Sequence, residues 1–241
     1  MDAVMDSFRA RLEERGIPLS VRQMEQFQRY YELLVEWNEK MNLTGITERD
    51  AVFEKHFYDS VTLAFYLDLS STPSLADIGS GAGFPSLPLK ICFPHLKITI
   101  VDSLNKRITF LKHVCEELGL EQVECVHGRA EDIARLPQHR DRYAVVTARA
   151  VARLAGLSEL CLPFVQKGGV FAAMKGAQPQ EELDEARYAI RELRGQFNKV
   201  ETLRLPDEQS ERAIVLIRKT DSTPKAYPRK AGVPLKQPLQ K

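Results

Sequence analysis

The chain has 241 residues, of which 44% are hydrophobic and 28% charged, with a formal net charge of +1. That is the size of one large domain, or of one medium domain with an appendage, and the composition excludes collagen, coiled coil and wholesale disorder. No apolar run approaches the roughly 18 residues of a membrane span, and the first sixteen residues mix acids with bases, so a soluble cytoplasmic protein with no membrane partner is expected.

Three helical stripes open the chain: Met5, Phe8 and Leu12; Val21, Met24, Phe27, Tyr31, Leu34 and Val35; and Phe53, Phe57, Val61 and Ala64. Thr47, three residues before Asp50, reads as a capping box for the third helix, and Pro73 closes the region. Residues 1–70 are therefore expected to form a helical cap. Trp37 and Tyr30 fall at helical spacing and are read as core.

After Pro73 short apolar runs alternate with amphipathic ones. Strands are expected at Leu75–Ile78, Ile98–Val101, Val123–Val126, Tyr143–Thr147, Gly169–Met174, Val200–Arg204 and Ala213–Ile217. Helical patterns lie at Leu104, Ile108, Leu111, Cys115 and Leu118, and at Leu183, Ala186, Ile190 and Leu193. The alternation predicts an α/β domain over residues 71–220, with a mostly parallel sheet that binds ligands at the carboxyl ends of its strands. Residues 221–241 form a tail. From Arg218 onward seven basic residues face only Asp221, whereas residues 1–60 carry a balance of −4. Pro224, Pro228, Pro234 and Pro238 favour extended backbone there. The tail reads either as a solvated terminus or as a phosphate-binding arm, with Tyr227 able to stack on a base.

The four cysteines, Cys92, Cys115, Cys125 and Cys161, have neither C-x-x-C spacing nor a finger-like His partner. Reduced core thiols are expected, and no metal.

The stretch Leu75 to Pro85 runs a strand directly into Gly79, Gly81 and Gly83. The dinucleotide fingerprint needs its last glycine one residue later, where Phe84 stands, which argues against nicotinamide chemistry. Asp-x-Gly-x-Gly-x-Gly instead resembles the first motif of class I methyltransferases, which cradle S-adenosylmethionine. Asp102 then closes the second strand, where a carboxylate suits ribose hydroxyls; helix capping shared with Ser103 is the competing reading. Glu131 and Asp132 follow the third strand, where this fold meets adenine; capping of the next helix competes here too.

Absent motifs narrow the acceptor. After the fourth strand the chain reads Val146-Thr147-Ala148-Arg149-Ala150, with no Asn/Asp-Pro-Pro-aromatic motif for an exocyclic amine and no nearby Cys for pyrimidine C5. Guanine N7 fits, because it carries no proton to remove and needs only proximity and alignment. Arg149, the one catalytic candidate, suits a cofactor carboxylate, an RNA phosphate or guanine O6; an ordinary surface salt bridge is the alternative.

Together these residues resemble the RsmG (GidB) family, bacterial methyltransferases acting on N7 of a guanine in the 530 loop of 16S ribosomal RNA. The resemblance spans nearly the whole chain: Trp37-Asn38, Met41 to Thr44, His56, Asp59-Ser60, Asp77 to Pro85, Asp102-Ser103, Lys106-Arg107, Arg129 to Glu131, Ala148 to Ala150, Lys175-Gly176 and Tyr227 to Pro234. It implies a Rossmann-like, seven-stranded class I fold with an N-terminal helical subdomain. It also implies an S-adenosylmethionine site at Gly79, Gly81, Gly83, Phe84, Asp102, Ser103, Leu104, Ala130, Glu131 and Arg149. Asn42, Thr44, His56, Lys175, Tyr227, Arg229 and Lys230 would then lie near 16S RNA of the small subunit or its precursor. Read without the family, His56 is a packed histidine with Asp59 as its partner. Two other functions fit the same residues: a methyltransferase of small molecules or proteins, and a non-catalytic RNA- or ribosome-binding module.

Overall fold

The first two apolar stripes fold as helices Ala3–Glu14 and Val21–Met41 in the computed structural model, which describes residues 2–177 and 179–241. Both starts are written in the sequence. Asp2 accepts from the Met5 N–H, and Ser20 and Gln23 form a reciprocal capping box. The third helix departs from expectation, because no Thr47–Asp50 box forms: Glu48 precedes Arg49–Val52 with no side-chain cap. The run then widens into a π segment, Phe53–Tyr58, returns to α at Asp59–Val61 and tightens to 3₁₀ at Thr62–Phe65. Such widening is commonest where side chains must be re-aimed at a site.

The seven expected strands are all present: β1 (Ser74–Ile78), β2 (Lys97–Asp102), β3 (Val123–His127), β4 (Tyr143–Arg149), β5 (Val165–Lys175), β6 (Gly195–Arg204) and β7 (Glu211–Lys219). They form one sheet in the order β3-β2-β1-β4-β5-β7-β6, parallel except for β7, which runs antiparallel to β5 and β6. This is the class I methyltransferase architecture. The order reverses between β1 and β4, so a crevice opens above their carboxyl ends. β5 and β6 start earlier than their apolar runs: β5 pairs with β4 at Val165 and resumes at Val170 across an irregularity, and β6 pairs with β7 from Gly195 through Gln196, Phe197 and Lys199. Helix Leu154–Cys161 gave no stripe to read, because every one of its residues is buried.

Two apolar clusters flank the sheet. One joins the cap to the sheet, with Phe8, Phe27 and Phe57 in the same cluster as Leu75, Ile98 and Leu216. The other lies on the opposite face around Phe164, Phe171 and Leu183.

The tail differs from the expected extended arm, because it is docked against the domain. Arg140 donates to the carbonyls of Thr223, Pro224 and Tyr227, and Arg135 to that of Pro228. Lys219, fully buried, is held by Asp141 at 2.8 Å and by Thr223. Val233–Lys236 forms a helical turn with Pro234 in its first positions, where the missing N–H costs nothing. Tyr227 and Leu239 pack against the second cluster. All four cysteines are free, Cys161 buried and the others half-buried.

Candidate cofactor and acceptor site

The glycine turn follows β1 directly, and Gly79, Gly81 and Gly83 all have positive φ, at 75°, 64° and 102°. A Cβ at Gly79 would meet Val151 at 2.9 Å, and one at Gly83 would meet Leu87 at 2.8 Å. Only glycine serves at such positions. Tyr30, wholly buried in the cap, donates its hydroxyl to the Ala82 carbonyl at 2.5 Å and pins the turn from outside.

Asp102 ends β2 and is 3% exposed. Its carboxylate accepts from Gly81 N–H at 3.1 Å and Leu104 N–H at 2.9 Å, with Arg107 at 3.5 Å. It braces the turn and does not cap the next helix, whose N-cap is Leu104. Ser103 and Leu104 are exposed at the same strand end, Leu104 as a bare apolar surface. Glu131 also leaves the capping alternative unused: helix Ala130–Ile133 has no side-chain cap, and Glu131 Oε1 accepts from Gly232 N–H in the tail. The strand ends thus bring Gly79 to Gly83, Asp102 to Leu104 and Ala130-Glu131 to one edge of the sheet. The Phe84 side chain is turned into the cap. It stacks on His56 at 4.5 Å and on Tyr30 at 5.6 Å.

Beside this edge lies a cavity of about 580 Å³ lined by the irregular cap helix and by β4, β5 and β7. Arg149, at the end of β4, belongs to both regions. Its guanidinium sits 5.1 Å from the Phe84 ring centroid, donates to Asp59 Oδ2 at 2.9 Å and to the Lys55 carbonyl at 3.0 Å, and meets His56 Nδ1 at 3.2 Å. With side chains 15% and 5% exposed, Arg149 and Asp59 are a largely desolvated pair, not the ordinary surface bridge. Arg212 Nε approaches the second Asp59 oxygen at 3.3 Å without hydrogen-bond alignment.

His56 is therefore not partnered by Asp59, as its spacing suggested. Nδ1 accepts from Arg149, so Nε2 carries the proton and donates to Thr44 Oγ1 at 2.8 Å. Burial and the Arg149 charge lower its pKa from 6.5 to about 4. Asp77, fully buried beneath the turn, is pushed up to about 6 by desolvation; Ser86 N–H donates to its Oδ2, and Oδ1 has no partner.

The residues expected near RNA divide. His56 and Lys175 line the cavity, Lys175 being tied to Glu182 at 2.8 Å. Thr44 stands behind His56, and Asn42 is exposed in a left-handed C-cap. Tyr227 is half-buried, and Arg229 turns inward onto Glu159; Lys230 alone of the three is exposed. Sequence reasoning missed Lys55, Glu208 and Arg212, which also line the cavity. Arg212 reaches it only because β7 inserts between β5 and β6, and no local motif announces that.

The sequence matches the family GidB, described as rRNA small subunit methyltransferase G, over residues 23–214. The chain belongs to this methyltransferase family. A "Ribosomal RNA small subunit methyltransferase G" of Bacillus cytotoxicus is 57% identical, covering 98% of this chain and 99% of its own. One of Brevibacillus brevis is 59% identical over 97% and 98%. Among solved structures, TYW2 of M. jannaschii in complex with AdoMet superposes with a TM-score of 0.53, covering 68% of this chain and 76% of its own at 11% identity. That likeness concerns the fold alone. The GidB match extends from the second cap helix into β7, so it embraces the glycine turn and most of the cavity walls. Among the described residues of this GidB member, no helix is long and apolar enough to cross a membrane, and no His/Cys/Asp/Glu group is arranged for a metal.

Proposed function

We propose that the chain transfers a methyl group from S-adenosylmethionine to N7 of a guanine in the 530 loop of 16S ribosomal RNA, acting in the cytoplasm on the small subunit or its precursor. The observation that carries this reading is the meeting of two regions at Arg149. A turn and strand ends suited to a nucleoside lie on one side, and a cavity rich in cations on the other.

The residues present fit the cofactor. The glycine turn gives a close backbone approach, Asp102 offers lone pairs for ribose, Leu104 gives adenine an apolar face, and Ala130-Glu131 offers polar contact to its edge. Phe84 would contribute through its backbone. When bound, S-adenosylmethionine supplies a sulfonium methyl, the sulfur keeping the bonding pair as the N7 lone pair takes the carbon.

The acceptor belongs in the cavity, whose volume of about 580 Å³ is ample for a base together with its sugar and phosphate. Lys55, Arg149, Lys175 and Arg212 outnumber Asp59, Glu208 and the Glu182 that pairs with Lys175, by one charge, which favours an anionic polymer. His56 is the side chain nearest to a general base, yet both its nitrogens are engaged and its pKa lies well below the useful range. A site without a poised base suits an acceptor with no proton to lose. Positioning by Arg149 and exclusion of water are what the protein contributes.

The test is incubation of the protein with methyl-labelled cofactor and small subunits from cells lacking it, followed by cleavage at N7-methylated guanines. Label at one guanine of the 530 loop is the expected result; label elsewhere, or none, overturns the assignment.

A further inference from the structure

Glu131 is 4% exposed, and the described residues give its carboxylate one donor, Gly232 N–H at 2.7 Å on Oε1. A carboxylate has about four acceptor sites, and a desolvated one is tolerated only when well paired. The second oxygen is not sealed in: the buried unpartnered side-chain atoms among the described residues are those of Arg49, Asp59 and Asp77. The second oxygen has capacity for a ligand at the strand end where the adenine is proposed to sit.

The donor is itself held in place. Arg229, three residues earlier, forms a fork onto Glu159, with Nε at 3.0 Å and Nη2 at 2.7 Å, while its own N–H donates to the same carboxylate at 2.7 Å. Glu159 is fully buried. On the far side of Gly232, Pro234 closes onto helix Leu154–Cys161 so tightly that a Cβ on Gly156 would meet the Pro234 carbonyl at 2.9 Å. Gly232 has φ 83°, which turns the chain between these two anchors.

We infer that the C-terminal segment is a positioning element of the adenine site: the Arg229–Glu159 clamp fixes Gly232 N–H, which orients Glu131 so that its second oxygen accepts from the adenine amino group. This rests on the cofactor reading above. Arg229 thereby acts inward, through Glu131, rather than on phosphate. Linkage makes the coupling reciprocal: an adenine that engages Glu131 must tighten the docking of the tail.

The test compares affinities, by calorimetry, for S-adenosylhomocysteine and S-inosylhomocysteine, in which an oxo group replaces the amino donor. The unaltered protein should prefer the adenosine compound by about tenfold or more, as for a hydrogen bond to a charged group. Arg229→Ala should lose about tenfold for the adenosine compound and little for the inosine compound, with Arg229→Lys intermediate. An unchanged preference in Arg229→Ala overturns the inference while leaving the cofactor site standing; failure of the unaltered protein to bind either compound overturns both. Should Arg229→Ala not fold, hydrogen exchange in the unaltered protein decides. Amides around Gly232 should exchange more slowly with S-adenosylhomocysteine than with its inosine counterpart, and equal rates overturn the inference.

Discussion

His56 ties stability to pH in a way that can be isolated. In the folded protein its pKa is about 4 against 6.5 for the free side chain, lowered by burial and by the Arg149 charge. Between these values the unfolded chain binds a proton that the folded one does not, so this contribution is complete above pH 6.5 and is lost as pH falls towards 4. The whole gap corresponds to about 3 kcal/mol, and about 2 kcal/mol of it is gone at pH 5. Asp77 works in the opposite direction. Its raised folded pKa, about 6, makes the folded state the better proton acceptor between 3.8 and 6, and returns about 1 kcal/mol at pH 5. The pH dependence of the unaltered protein therefore mixes His56 with Asp77 and with carboxylates held below their ordinary range by ion pairs, among them Glu182 and Asp207, and does not isolate His56. A difference of differences removes Asp77: urea unfolding of the unaltered protein and of His56→Gln, each at pH 7.5 and 5.0. The deficit of His56→Gln should shrink by about 2 kcal/mol at the lower pH, because the variant has no imidazole to protonate on unfolding. An equal deficit at both values would show that His56 is not held neutral, and would remove the argument that it is no general base.

Asp102→Asn should weaken S-adenosylhomocysteine binding about ten- to a hundredfold by calorimetry, the range for a lost charge-assisted hydrogen bond; unchanged affinity would remove Asp102 from the ribose site. Arg229→Ala strands the buried Glu159 charge and should cost about 3 kcal/mol in urea unfolding, limited by undocking of the tail. Adding Glu159→Leu should recover most of that, because an apolar replacement of a buried pair is close to neutral. A double variant no more stable than the single one would refute the account of the clamp.

What was legible in the sequence follows from which forces are local. β1, β2 and β4 are buried on most of their length and read as apolar runs, whereas the edge strand β3 has no fully buried residue; the glycine turn is visible because positive φ restricts residue choice at the position itself. Helix Leu154–Cys161 has no polar face and so no period. The tail was misjudged for a related reason: its composition shows the charge of Arg229 but not the neutralising Glu159, 70 residues earlier. Asp59 was assigned to His56 by helical spacing, but the run between them is π-wound, and Arg149 and Arg212 arrive from strands. Local spacing predicts local partners; charges recruited across the sheet leave no such trace.

The cap and the glycine turn cannot be treated as separable parts. Tyr30 from the cap closes the turn at Ala82, and Gly83 has no room for a side chain because Tyr30 and Leu87 fill the space. Phe84 leaves the turn to stack on Tyr30 and His56, and Arg149 lies over the same ring while gripping Asp59 of the cap. Cap residues such as Phe27 and Phe57 share one face of the sheet with the helices Ser86–Cys92 and Asn105–Glu117, in a single apolar cluster. A cap that folded apart from the sheet would expose that cluster and leave Asp59, His56 and Arg149 without one another. The cavity beside Arg149 is lined from both halves, so substitutions in the cap that never touch a ligand should still be felt at the turn.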